Sequence, residues 1–216
     1  MTPPTPHSSL MTKKTINPKL IVIAGPNGAG KTTFTNQVLR HDWSAGCIFI
    51  NPDEIALHEF GDWNSPDAVR KAVVRAQSLR EECLEQRRSM LIETVFSDPA
   101  KLDFIKISKE ADYFIRFFFI GTDSPQINAA RVARRVMDGG HDVPITKIIS
   151  RYYRSIANAS IAMAMVNRAY CYDNSVSNRD PRKLFRTKDG LIFKTYADIK
   201  IHEWGKLMGE ELAKLV

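Results

Sequence analysis

The sequence has 216 residues, of which 44% are hydrophobic and 25% are charged, as is typical of one soluble globular domain. No apolar run approaches the roughly 20 residues that a membrane-spanning helix needs. Three cysteines far apart (Cys47, Cys83 and Cys171) argue against a disulfide framework or a zinc site. We therefore expect a cytoplasmic protein with no membrane partner.

The net charge of +7 is concentrated in two segments. Residues 131–154 contain six basic and two acidic side chains, and residues 179–189 contain five basic and two acidic ones. This concentration indicates an anionic partner, either nucleic acid or a small phosphorylated substrate. The alternative interpretation is that these basic side chains simply lie on solvated faces of helices or of a hairpin. This alternative is stronger for residues 179–189 than for residues 131–154.

Strand and helix patterns alternate along the chain, which predicts an α/β fold with a mostly parallel sheet covered by helices. Residues 1–18 are expected to form a disordered lead-in and residues 19–216 a single domain. Apolar runs predict five strands, at 19–24, 47–51, 90–96, 112–122 and 170–175. Periodic patterns predict helices from the first loop to about residue 40 and at 65–89, 99–109, 124–137, 145–168 and 197–214. Alternation around Asp189 and Gly190 predicts an appended C-terminal β-hairpin at 183–196.

The stretch AGPNGAGKTTF follows the first predicted strand and fits G-x-x-x-x-G-K-[ST], with Gly25, Gly30, Lys31 and Thr32 at the fixed positions. Glycines let backbone N–H groups converge on phosphate oxygens, and the following helix N-terminus adds positive charge. Lys31 is expected to reach the β- and γ-phosphates of ATP, and the Thr32 hydroxyl to ligate Mg²⁺. The predicted nucleotide-binding residues are Gly25, Pro26, Asn27, Gly28, Ala29, Gly30, Lys31, Thr32 and Thr33.

Carboxylates follow several predicted strands, where ligands of open parallel sheets bind. Asp53 is the first choice for the general base of a phosphoryl transfer, with a helix-capping role as the alternative. Glu93 lies among apolar strand residues, where an unbound carboxylate is costly, so we assign it to the substrate or to the Mg²⁺ shell. The adjacent Thr94 is assigned to the substrate, and Asp123 also falls near the phosphate loop.

The phrase RVARRVMDGGHDVP places arginines before a double-glycine break. We expect residues 131–154, the lid segment, to close over the triphosphate and exclude water. Arg135 and Arg151 are the best candidates to stabilise transition-state charge, and Arg134 is the alternative to Arg135. For Arg131, Arg134 and Arg154, a solvated position is equally open.

These phrases, together with NPDEIA, ETVFS, RYYRSIANA and YDNS, resemble the zeta-toxin-like P-loop kinases in order and register from about residue 20 to 175. The resemblance implies an ATP-dependent kinase of the nucleoside-kinase type. Zeta toxins phosphorylate the 3′ hydroxyl of UDP-N-acetylglucosamine, and an epsilon antitoxin blocks their ATP site. By resemblance, Asp53 is the general base, Glu93 a substrate-side carboxylate, and Arg135 and Arg151 the lid arginines.

The sequence therefore predicts a kinase that uses ATP and Mg²⁺ to phosphorylate a hydroxyl, with UDP-N-acetylglucosamine as the first candidate and an antitoxin as a possible partner. One alternative is a polynucleotide or RNA kinase that holds a nucleic acid with its basic hairpin, although nucleic acid is the less favoured partner. Another alternative is a regulatory module that binds ATP without turnover.

Overall fold

The computed structural model describes residues 17–62, 64–196 and 202–215. Across these residues seven strands form one sheet, in the order β2-β3-β1-β4-β5-β6-β7. Five strands run parallel, and the last two are antiparallel. The strands are β1 (Lys19–Ala24), β2 (Ile48–Ile50), β3 (Met90–Thr94), β4 (Phe114–Gly121), β5 (Arg168–Asp173), β6 (Arg182–Lys188) and β7 (Leu191–Thr195).

Helices connect the parallel strands, because the chain must cross back to the start of the sheet before the next parallel strand can begin. They are α1 (Lys31–Leu39), α2 (Pro52–Phe60), α3 (Pro66–Glu85), α4 (Ala100–Glu110), α5 (Pro125–Met137), α6 (Ile145–Met165) and α7 (Glu203–Leu215). A short 3₁₀ turn at Asp42–Ser44 follows α1.

Alternating side chains of the central strands fill two unequal cores. On β1, Leu20 and Val22 pack into the larger core, which is covered by α2, α3, α4, α6 and α7. Ile21 and Ile23 pack into the smaller core beneath α1 and the 3₁₀ turn. The central strands are apolar on both sides because helices cover both faces there.

The predicted α/β fold with a mostly parallel sheet and a C-terminal hairpin is confirmed. Some element ends differ from the predictions. One helix, α2, was not among the predicted elements. It begins at Pro52 and is capped by the Asn51 side chain, which accepts a hydrogen bond from the Asp53 N–H at 3.0 Å. β2 therefore ends one residue before this cap. The capping role considered for Asp53 belongs to Asn51.

The chain leaves β3 earlier than expected because Phe96 adopts a left-handed conformation, with φ of 61°. Of the lead-in predicted at 1–18, residues 1–16 lie outside the described residues. The first five residues of the helix predicted at 197–214 lie outside them too, and α7 is described from Glu203.

The N-terminal end of α7 is tied to the carboxyl ends of β4 and β5. His202 is buried, and its Nδ1 lies 2.6 Å from Oδ1 of Asp123. Its Nε2 lies 3.8 Å from Oδ2 of Asp173. Asp123 was predicted to lie near the phosphate loop, and its carboxylate contacts the His202 side chain directly before this helix.

No helix within the described ranges is both long enough and apolar enough to cross a bilayer.

Candidate active site

The loop between β1 and α1 holds three glycines with positive φ: Gly25, Gly28 and Gly30. A Cβ on Gly25 would lie 2.2 Å from the Ile120 carbonyl oxygen, and one on Gly28 would lie 2.5 Å from that of Asn128. Glycine is therefore required both by the backbone conformation and by the close approach of β4 and α5. The tight loop lies at the carboxyl edge of the parallel strands, where ligands of such sheets bind.

The first turn of α1 offers N–H groups that no side chain occupies. Gly30 is the N-cap residue, and it has no side-chain oxygen to accept a hydrogen bond. The initial N–H groups of a helix lack intrahelical partners, and the helix dipole makes that end positive. This arrangement fits a phosphate group.

Lys31 is the point on which the predicted catalytic residues converge. Its ammonium group donates to the Pro26 carbonyl oxygen at 3.1 Å. Burial lowers the pKa of Lys31, whereas the carboxylates of Glu93 and Asp53 raise that pKa. The guanidinium groups of Arg135 and Arg151 lower the same pKa further. Residues from four separate stretches of the chain therefore act on one ammonium group.

Glu93 lies at the carboxyl end of β3 and is only 7% exposed. The Thr32 hydroxyl donates to its Oε1 at 2.9 Å, and the Thr35 hydroxyl donates to its Oε2 at 2.7 Å. Both donors belong to α1, so the carboxylate is turned toward the phosphate loop. This geometry favours the Mg²⁺-shell assignment of Glu93 over direct contact with the acceptor. The Thr94 hydroxyl accepts from the Phe96 N–H at 3.2 Å and so belongs to the turn that follows.

Asp53 is in the first turn of α2 and is exposed. Among the described residues, no side chain hydrogen-bonds to its carboxylate. The neighbouring Glu54, in contrast, lies 3.0 Å from His58 on the same helix. An unpaired carboxylate within electrostatic reach of Lys31 is free to accept a proton from an incoming hydroxyl.

The lid segment comprises the end of α5, a turn at 138–144 and the start of α6. Arg135 donates to the His141 carbonyl oxygen at 2.7 Å, and Arg151 donates to the Asn27 side chain at 3.4 Å. Arg134 and Arg135 are both exposed, but only Arg135 is among the groups that shift the pKa of Lys31. Of the two alternatives, this electrostatic influence favours Arg135.

The tip of the lid segment contacts the opposite side of the cleft. The Asn64 side-chain oxygen, between α2 and α3, accepts from the Asp142 N–H at 3.1 Å and lies 3.2 Å from His141 Nδ1. The lid segment thus bridges to the connection that follows α2, the helix bearing Asp53.

A cavity of about 200 Å³ opens beside Glu93 and Thr94, between β3, α3 and α4. Arg80 and Lys101 line it. Burial lowers the pKa of both side chains, and the Arg80 charge lowers the pKa of Lys101 further. Arg80 is only 8% exposed, and its guanidinium donates to the neutral Gln77 side chain. Within the described part of the chain, no carboxylate lies within salt-bridge distance of either cation. The carboxylates of Glu93 and Asp103 also line the cavity, so it is the side formed by Arg80 and Lys101 that suits an anion.

Phe96 borders this cavity in a strained backbone conformation that a bulky residue rarely adopts. Two side chains of α6 hold the strained turn. Ser155 donates to the Val95 carbonyl oxygen at 2.6 Å, and Asn158 donates to that of Phe96 at 3.1 Å. The turn after β3 is therefore fixed by the same helix that carries Arg151.

Sequence reasoning missed several of these residues. Arg80 follows Ala72 and Ala76 at four-residue spacing on the buried stripe of α3, and this position was the available signal. The sequence left a solvated position as one interpretation of Arg131. In the structure Arg131 donates to the carbonyl oxygens of Asn174 at 2.7 Å and Ser175 at 3.3 Å. Such main-chain contacts leave no signature in the sequence.

The glycine loop, the free helix N-terminus and the lysine at its start define a P-loop protein with an α/β kinase fold. The chain belongs to the Zeta toxin family, whose sequence model matches residues 7–187. This confirms the resemblance inferred from the sequence motifs.

The chain is also similar to other known proteins. An uncharacterized protein of Haemophilus influenzae is 29% identical over 138 residues, which cover 62% of this chain and 92% of that protein. The PezAT toxin-antitoxin structure of Streptococcus pneumoniae superposes with a TM-score of 0.57 at 16% identity, over 96% of this chain and 91% of the other. The AvrRxo1-ORF1:-ORF2 complex gives a TM-score of 0.66 at 16% identity, over 91% of this chain. This chain spans 64% of that neighbour's length. At these identities the two structures support the fold alone.

Proposed function

We propose that this protein is an ATP-dependent kinase that transfers the γ-phosphoryl group to a hydroxyl of a small phosphorylated substrate. UDP-N-acetylglucosamine is the first candidate for that substrate. The observation that carries the proposal is the geometry at the phosphate loop, where Thr32 donates to Glu93 at 2.9 Å and Arg151 donates to Asn27 at 3.4 Å. Asp53 and Arg135 are also near enough to Lys31 to shift its pKa. Three free cysteines are compatible with a cytoplasmic setting, which we propose for the reaction.

In the proposed reaction, the acceptor hydroxyl oxygen attacks the γ-phosphorus while the bond from that phosphorus to the bridging oxygen breaks and ADP leaves. Asp53 accepts the hydroxyl proton. The positive charges of Lys31, Arg135 and Arg151 stabilise the negative charge on the phosphoryl oxygens. The N–H groups at the start of α1 bind the polyphosphate. The lid segment excludes water, which would otherwise compete with the acceptor.

Mg²⁺ fits the oxygen groups beside the phosphate loop, since it prefers hydroxyl and carboxylate oxygens together with substrate phosphates. The Thr32 hydroxyl and the Glu93 carboxylate, 2.9 Å apart, would hold it or its water ligands. When bound, the ion neutralises charge on the β- and γ-phosphates. Because Thr35 also donates to Glu93, that carboxylate keeps its orientation when Thr32 exchanges partners.

The cavity beside Glu93 supports a phosphorylated acceptor. Arg80 and Lys101 would face the acceptor's own phosphate groups, which relieve the mutual repulsion of the buried Arg80 and the half-buried Lys101. A diphosphate between a nucleoside and a sugar offers such an anion. The cavity lies on the β3 side of the phosphate loop, the side that also bears Asp53.

The experiment is an acceptor screen. The protein is incubated with ATP, Mg²⁺ and a panel of sugar nucleotides, sugar phosphates and nucleosides, and products are read by mass spectrometry. We expect a mass gain of one phosphate on UDP-N-acetylglucosamine or a related sugar nucleotide, absent with Lys31→Ala. ATP turnover with no phosphorylated acceptor across the panel would contradict the kinase assignment.

Toxicity is a separate part of the proposal, supported by membership of the Zeta toxin family. Expression in bacteria is expected to arrest growth, and Lys31→Ala is expected to relieve the arrest. An antitoxin protein is then the expected partner. Equal growth with both forms would refute toxicity while leaving the kinase assignment intact.

A further inference from the structure

One face of the antiparallel extension combines cations with aromatic rings. We call the residues Tyr172, Lys183, Arg186, Phe193, Lys194 and Tyr196 the basic aromatic face. The β5–β6 register pairs Tyr172 with Lys183, so these side chains share one side of the sheet. That side is the α1 side, because the Tyr172 ring lies 4.9 Å from the ring of Phe34 in α1.

Cations and rings are interleaved on this face. The Lys183 ammonium lies 5.5 Å from the Tyr172 ring centre and 5.1 Å from that of Tyr196. The Arg186 guanidinium lies 4.5 Å from the Phe193 ring centre. Lys194 lies 5.1 Å from the Tyr196 ring centre. The rings hold the cations over a flat sheet while leaving their outer N–H groups available for an anion.

Within residues 17–62, 64–196 and 202–215, no carboxylate forms a salt bridge with Lys183, Arg186 or Lys194. The Arg186 Nε is buried and has no hydrogen-bond partner there. Phe193 and Tyr196 are 48% and 41% exposed. α7 packs on the opposite side, against β6 residues such as Phe185.

We propose that the basic aromatic face binds single-stranded nucleic acid, with the cations on backbone phosphates and the Phe193 and Tyr196 rings stacked on unpaired bases. Proteins that bind single strands without base pairing combine a positive surface with aromatic stacking platforms, which is the combination found here. A duplex offers phosphates but keeps its bases paired, so it cannot use the rings. An acidic protein segment would use the charges alone.

The proposal is independent of the proposed kinase reaction. The basic aromatic face begins at β5 and extends to β7, whereas the acceptor cavity lies beside β3, with β1 and β4 between them. Neighbouring strands are about 4.8 Å apart, so β3 and β6 are separated by roughly 19 Å. The bound strand is therefore placed as a docking partner and not as the phosphate acceptor.

The test measures binding of the full-length protein to fluorescein-labelled 12-nucleotide RNA and DNA single strands by anisotropy, in a salt series. We expect tighter binding of single strands than of a duplex of the same sequence. Phe193→Ala should weaken binding about tenfold, because base–aromatic stacking is lost. Phe60→Ala is the matched control, since Phe60 is 38% exposed and lies on α2.

The electrostatic part is tested with Lys183→Ala/Lys194→Ala. Each lost phosphate contact lowers the magnitude of the salt slope by about 0.7 for single strands, so a decrease of about 1.4 is expected. The control Lys106→Ala/Lys109→Ala removes the same charge from exposed positions on α4. Equal slopes in the two double variants would overturn the proposal. So would equal binding of duplex and single strand, or displacement by poly-glutamate as readily as by unlabelled oligonucleotide.

Discussion

At the scale of single residues, the site depends on where buried charges find partners. Glu93 is satisfied by two hydroxyls of α1, whereas Arg80 has only the neutral Gln77 as a hydrogen-bond partner among the described residues. A buried charge without an opposite charge is costly, so such a group points to a ligand. Glu93 thus belongs to the phosphate loop, and Arg80 to the acceptor cavity.

Arg80→Met is predicted to raise the KM for the phosphorylated acceptor found in the screen by about 10- to 100-fold, since a hydrogen bond to a charged group is worth about 1.5–3 kcal/mol. The KM for ATP should not change. Arg70→Met is the control, because Arg70 lies exposed on the same helix and pairs with Asp67 at 2.6 Å. Steady-state kinetics with each substrate varied check this; an equal rise in both KM values would argue against an acceptor role.

Lys31 is predicted to take up protons when ATP binds, in a pH range below the ordinary lysine pKa. Burial lowers its pKa in the free protein, so part of the population is neutral below the ordinary lysine value of about 10.4. The ATP phosphates favour the charged form and raise the pKa again, so binding draws protons from the buffer. Calorimetry in buffers of different ionisation enthalpy measures this uptake. Lys31→Arg, which stays charged, should show less; identical uptake would contradict the assignment.

The residues that sequence reasoning located are those with a local pattern. Gly25, Gly30, Lys31 and Thr32 follow a fixed spacing. Asp53 follows a predicted strand, and Glu93 is a lone carboxylate inside one. Arg80 and Lys101 were missed because their position beside the cavity depends on the packing of α3 against α4 over β3. The direction of the Glu93 carboxylate was open as well, since it depends on two threonines of another element.

At the scale of elements, α6 joins the lid segment to the acceptor side. It carries Arg151 near its start, and Ser155 and Asn158 hold the strained turn after β3. The turn of the lid segment meets Asn64 beyond α2. Helix α2 was not foreseen, because its nine residues follow directly on a three-residue strand and its cap is a single asparagine. In the reaction we propose, these links would couple closure of the lid segment to placement of the acceptor.

Gly140→Ala is predicted to lower kcat by about tenfold or more. A Cβ there would lie 2.5 Å from Cγ and 2.9 Å from the carbonyl oxygen of Arg135, so the turn and that arginine must shift. Small displacements of charge-stabilising groups are costly in rate. Gly209→Ala is the control, since its Cβ would meet only Ile192 Cδ1 at 4.0 Å. An unchanged kcat for Gly140→Ala would show that Arg135 does not act in the reaction.

At the scale of the whole molecule, the two proposed binding regions lie on different halves of the sheet. The half formed by β2, β3 and β1 bears the phosphate loop and acceptor cavity, and the half formed by β5, β6 and β7 bears the basic aromatic face. Apolar runs predicted the five parallel strands, and alternation around Asp189 and Gly190 predicted the hairpin. The order β2-β3-β1-β4-β5 was not predictable from the apolar runs, because every buried parallel strand has the same apolar pattern.

Helix α7 is predicted to be an integral part of the larger core. The Trp204 ring packs on Gly121, where a Cβ would lie 2.4 Å from the ring, and it is 4% exposed. Trp204→Ala should therefore lower the free energy of unfolding by about 3–5 kcal/mol. Leu207→Ala, at a 52% exposed position on the same helix, should change it by less than about 0.5 kcal/mol. Chemical denaturation measures both, and equal losses would contradict the packing of α7.

At the centre of the proposed function, one cleft binds ATP at Lys31 and transfers the γ-phosphoryl group to an alcohol. Asp53 accepts the proton of that alcohol. The most direct test compares phosphorylation of the acceptor and ATP affinity in wild type, Asp53→Asn and Glu54→Gln. The account predicts that Asp53→Asn lowers the acceptor phosphorylation rate by about 10²- to 10⁴-fold with ATP affinity unchanged, and that Glu54→Gln alters neither. Phosphorylation of the acceptor at the wild-type rate by Asp53→Asn would contradict it.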